Sequence, residues 1–181
     1  MESRTRGKNA DAMTDTQQQL KALLDKMVEE MRQNLASTGT NASGRTSASL
    51  RVEVDATGGR IYGRKYFRGV EQGRAGGRVP RNFQSIIRQW ILDKGLTYSA
   101  IPYKRQPSAK WQPKYTPEER GLRQMASAIA HAIEKSGTSL YRSGGRKDIF
   151  TNVIEENKPA LVKLATKIFT DNLYGKYNGN K

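Results

Sequence analysis

Over residues 13–36 the apolar positions are Leu20, Leu23, Leu24, Met27, Val28, Met31 and Leu35. Steps of three and four residues put them on one side of a helix, which Gly39 closes. Residues 37–49 are rich in Ser, Thr and Gly and read as a linker. Beyond it Leu50, Val52 and Val54 alternate with Arg51 and Glu53, the spacing of a strand with one buried face. Gly58–Gly59 is the expected turn, and Ile61–Phe67 the expected return strand.

The pattern then breaks. "GRAGGRVPRN" holds too many glycines for regular structure and ends near a proline. After it Phe83, Ile86, Ile87, Trp90 and Ile91 recur at helical spacing, with Asn82 as the expected cap and Gly95 past the end. Full burial of such side chains stabilises by roughly 1.5–3 kcal/mol each, enough to anchor the preceding loop. Phe83, Ile87, Trp90 and Ile91 are the expected core anchors, with Trp90 buried between the sheet and the helix over 117–136. Residues 96–115 contain three prolines, three tyrosines and Trp111 without any period, and read as an extended arm.

Thr116 and Glu119 form a capping-box pattern around Pro117. Leu122, Met125, Ala126, Ile129 and Ile133 make the apolar stripe that follows, up to Gly137. "IFTNVIEE" fits more than one state, with Asp148 placed to cap a short helix. A last amphipathic helix follows, with Leu161, Leu164, Ala165, Ile168 and Phe169 inward and Pro159 tolerable only in its first turn. Residues 1–12 and 175–181 read as flexible ends, leaving 50–174 as the main domain.

Charge sharpens this picture. The 181 residues carry a net charge of +15, and residues 45–114 alone hold 15 Lys/Arg against 4 Asp/Glu. A basic middle of that kind faces a polyanion or an acidic neighbour. Arg60, Arg64, Arg68, Arg74, Arg78 and Arg81, with Tyr62, Tyr66 and Phe67 among them, have the charge and stacking surface to hold single-stranded nucleic acid. Arginine serves protein interfaces equally well, because its planar fork pairs with carboxylates.

Enzyme chemistry finds no footing. With no cysteine, disulfides and thiolate metal sites are excluded. Neither "GRAGGRVP" nor "SGGRKD" carries the Lys-Ser/Thr of a phosphate loop, and G-x-G-x-x-G spacing is missing. His131 is the only histidine and falls on the polar side of its helix. The paired glutamates at 29/30, 118/119 and 155/156 splay apart on a helix. A non-enzyme without metal or cofactor is expected. No run approaches the ~20 apolar residues of a membrane span, and the opening residues lack a signal-peptide pattern, so a cytoplasmic origin is expected.

Over residues 60–155 the chain resembles the tail-completion family of tailed phages, the neck or head–tail connector proteins. The features are Tyr66–Phe67, then Gly73–Arg74 with Gly77 and Pro80, then Ile87, Trp90–Ile91 and Lys94–Gly95. "AIAHAIEKSGT" adds a helix ending at Gly137–Thr138, while Asp148–Ile149–Phe150 replaces the family's Pro-Phe-Leu-like step. The resemblance implies an α+β fold, a small antiparallel sheet packed by helices. It also implies a virion subunit in a homo-oligomeric ring between portal and tail, with viral DNA in its axis. Tyr98, Tyr103, Trp111 and Tyr115 of the arm, and the six arginines, are then expected to contact subunits or DNA. The alternative from the residues alone is a monomeric, basic DNA- or RNA-binding protein.

Overall fold

A computed structural model describes residues 13–105, 107, 108, 110 and 112–178, with the side chains of 175–178 excepted. The elements are α1 (Asp15–Ser37), α2 (Arg45–Ala48), β1 (Arg51–Asp55), β2 (Gly58–Tyr62), α3 (Gly69–Gln72), α4 (Phe83–Asp93), α5 (Pro117–Ser136), α6 (Ser139–Arg142) and α7 (Thr151–Asn178). The fold is α+β: one antiparallel hairpin among helices. Among the described residues no helix is long and apolar enough to cross a membrane.

Helix α1 starts at a reciprocal box, in which the Thr14 hydroxyl accepts from Gln17 N–H while the Gln17 side chain accepts from Thr14 N–H. Two hydrophobic faces close on its stripe. On one side lies the hairpin, seated so closely that a Cβ at Gly59 would stand 2.5 Å from Leu24. On the other lies α7, through Val153 and Ile168, with Ile149 of the turn before it. Together they enclose Met27, Met31 and Leu35. A second core forms where Phe83, Ile87 and Ile91 of α4 meet Leu122, Ala126 and Ala130 of α5.

The hairpin differs from the expected one. Asp55 pairs with Gly58, so the turn is Ala56–Thr57 and β2 ends at Tyr62. Asp55 selects that turn, because its carboxylate accepts from the N–H groups of Thr57 and Gly58 and from the Thr57 hydroxyl. Residues 65–68 form a turn instead of more strand, which lets Phe67 reach Phe150 at 5.3 Å between ring centroids.

Trp90 is 39 % exposed, not buried. The positions 83, 87 and 91, four apart, take the face against α5, and the hairpin that would have covered Trp90 is committed to α1 through Gly59. Asn82 makes no side-chain cap. Only half of the expected box forms at α5: Thr116 accepts from Glu119 N–H, but the Glu119 carboxylate accepts from Arg123. Helix α7 absorbs "TNVIEE", holds Pro159 in its interior and continues to Asn178. Glu71 binds the N–H groups of Ile149 and Phe150 just before α7 and of Thr151 at its start, while Asp148 pairs with Arg146 at 2.6 Å. Phe169, expected inward, is 65 % exposed. The expected flexible tail 1–12 and Trp111 lie outside the described residues.

Candidate functional site

The glycine–arginine loop is shaped by its own chain first. Thr138 N–H donates to the Arg74 carbonyl at 2.9 Å, Arg74 N–H to the Thr138 hydroxyl at 2.9 Å, and Gly77 N–H to the Glu134 carbonyl at 2.7 Å. A Cβ at Gly73 would come within 2.5 Å of Tyr141 N, and one at Gly137 within 2.6 Å of the Arg74 carbonyl. Glycine is needed there for backbone to meet backbone. Residues 73–77 are therefore tied through their backbone to the end of α5, with Ala75, Gly76 and Gly77 still exposed, and Val79 packs on the α4–α5 core.

The structure splits the six arginines. Arg60 pairs with Asp55 at 2.6 Å, and that hydrogen bond raises its pKa. The Asp55 carboxyl is held far below the usual carboxylate range, first by the Thr57 hydroxyl and N–H and then by Arg60. Arg74 folds inward, its guanidinium 5.3 Å from the centre of the Phe83 ring and donating to the Arg78 carbonyl. Arg78 and Arg81 stand exposed on the outer half of the loop. Arg64 and Arg68 are exposed on the turn after β2, beside Lys65 and Tyr66. His131, at the surface, shares an open groove with Arg81, Gln84 and Glu134.

The arm lies on α5. Ile101 N–H donates to the Pro117 carbonyl at 2.8 Å, and Arg120 holds the carbonyls of Ile101 and Pro102. Tyr103 takes the Arg120 guanidinium on its ring at 4.0 Å and donates its hydroxyl to the Tyr115 carbonyl. Tyr115 carries the Arg123 guanidinium at 3.8 Å, and Tyr98 packs on the α4–α5 core. The three described tyrosines are thus half-buried within the chain.

Among the described residues two open apolar surfaces bear on association. The first is a groove of about 530 Å³ between α4 and the end of α5, floored by Ile86, Ile87, Trp90, Ile129 and Ile133, with Arg74 and Arg142 on its rim. The second is the outer side of α7, where Val162, Phe169 and Leu173 form an exposed line. Steps of seven and four residues place them on one stripe, opposite Val153 and about 100° round the helix from the buried Ile168. Sequence patterning missed this ridge. Its signal was the adjacent pairs Leu161–Val162 and Ile168–Phe169, which one helix face cannot accommodate. Among the described residues no cluster of three His, Asp or Glu is arranged to hold a metal ion.

Comparison of the chain with protein-family models, curated proteins and solved structures finds no match.

Proposed function

We propose that the chain is a structural subunit of an assembly, the head–tail connector or neck ring of a tailed-phage virion, packed around viral DNA. The observation that carries the assembly reading is α7, a 28-residue helix with two apolar faces, only one of which the described residues cover. Phe169, Val162 and Leu173 in water forgo hydrophobic stabilisation of about 25 cal/mol per Å², which burial against another subunit recovers. The α4–α5 groove adds a second unfilled surface. One ridge and one concave surface on the same chain suit head-to-tail contacts, the kind that close into rings. The motifs from Tyr66 to Thr138 support placing the ring at a phage neck, and the net charge of +15 suits a neighbour of DNA.

Sedimentation of the full chain in low and high salt tests this reading. A homo-oligomer of one defined size at both salts is expected, because apolar contacts survive screening. A monomer at both salts, at concentrations of tens of micromolar, would rule the ring out. Incorporation of the tagged chain into tailed particles then tests the location, and its absence from every particle would overturn the virion assignment.

A further inference from the structure

The turn from Gly63 to Arg68 has no role in the assembly surfaces. Three of its side chains, Arg64, Lys65 and Arg68, are exposed cations. No carboxylate among the described residues pairs with any of them, unlike Arg60, Arg51 and Arg146 elsewhere. In their midst Tyr66 is 79 % exposed, more than any other large apolar or aromatic side chain among the described residues. This exposure is not slack. Phe67, the next residue, is pinned on Phe150, Gly63 sits against Leu50 and Phe67, and Arg64 N–H donates to the Ser49 hydroxyl. A turn anchored through Phe67 holds the neighbouring ring outward. Beside it runs an open groove of about 550 Å³, lined by Arg45, Arg64, Tyr66, Ser85, Ile86 and Gln89.

We infer that this turn and groove bind a single-stranded stretch of nucleic acid, one base stacked on Tyr66 and its flanking phosphates on Arg64, Lys65 and Arg68. A tyrosine ring offers a sequence-tolerant platform to any unpaired base, and cations on either side follow the backbone. Duplex DNA keeps its bases stacked on one another, so it uses the cations and leaves the ring idle. An acidic protein partner would engage the same cations, but an unpaired base with its flanking phosphates matches the exposed ring and the cations around it together. The inference goes beyond the assembly reading, since a lone chain presents the same turn.

The test is fluorescence anisotropy of labelled oligo-dT, oligo-U and a duplex of equal length with the full chain, each across a salt series. Single strands are expected to bind more tightly than duplex. Tyr66→Ala is expected to weaken single-strand binding about tenfold while leaving duplex binding unchanged, and Tyr66→Trp to retain it. The triple variant Arg64→Ala, Lys65→Ala, Arg68→Ala is expected to flatten the salt slope for single strands by about two. Tyr66 is exposed, so unchanged thermal melting checks that its variants fold. Equal affinity of wild type and Tyr66→Ala for both single strands, or tighter binding to duplex, overturns the inference. Sedimentation of the same samples keeps the two proposals apart: a monomer that binds with Tyr66 dependence sinks only the ring, and a ring without that dependence sinks only this site.

Discussion

The Glu71 carboxylate is 2 % exposed and, among the described residues, makes no direct ion pair, with Arg146 acting on it only at longer range. One of its oxygens accepts from the N–H groups of Ile149, Phe150 and Thr151, and the other from the Thr151 hydroxyl. The N-terminal end of a helix carries unpaired N–H groups and partial positive charge, so a buried anion is stable there without a salt bridge. Glu71→Ala leaves those donors buried and bare, and is expected to cost on the order of 3 kcal/mol in denaturant unfolding. Glu71→Gln keeps an acceptor and should cost less. Asp55 gives a prediction in pH. Its folded-state pKa is depressed, chiefly by Thr57, so its contribution is present above the unfolded value of about 4 and lost as pH falls through the folded one. Thr57→Val removes the leading cause, and the Asp55 carboxyl, followed by NMR titration, should then move up toward the usual range.

At the scale of elements, the arm and α4 show how packing overrides pattern. Residues 96–115 have no period, yet Ser99 crosses α5 so closely at Gly121 that a Cβ there would lie 1.9 Å from the Ser99 carbonyl oxygen. Gly121→Ala favours helix locally but expels the arm. The expected net cost is about 1–3 kcal/mol, with faster hydrogen exchange at the Ile101 amide, which is bonded to Pro117 in the native chain. Unchanged exchange at Ile101 would mean that the arm does not need this crossing. Trp90 is the reverse case, an apolar residue in the right stripe with no lid. Trp90→Ala is expected to cost roughly half the ~3–5 kcal/mol of a fully buried aromatic. In a Trp111→Phe background, iodide should quench Trp90 fluorescence readily.

On the scale of the whole molecule, the two cores are joined by few and specific ties. Glu71 holds α7, residues 73–77 hold the end of α5, and Arg45 reaches Asp93 at 3.3 Å. The α7 ridge lies outside all of these. Phe169→Glu should therefore leave thermal stability nearly unchanged while weakening self-association by at least about tenfold, as read by sedimentation over a concentration series. Loss of the fold together with the association would place Phe169 in the core and remove the ridge from the argument.

The sequence by itself determined the elements whose causes are local. The α1 stripe, the strand alternation at Leu50–Val54, the stop at Gly39, the Thr116–Pro117 start and the Gly95 end all depend on residues within a few positions of one another. Even the Asp55 turn was legible in principle, since Asp55 and Thr57 are two residues apart. Tertiary structure alone decided which apolar faces would be covered. The hairpin sits on α1, which leaves Trp90 open. Ser99 lies against Gly121, and Glu71 reaches across 78 residues to start α7 where Asp148 was expected to. Such contacts hinge on close approach between distant segments, and spacing along the chain carries no record of it. The exposed ridge of α7 and the outward Tyr66 belong to the same class, because a side chain's freedom from cover is a property of everything packed around it.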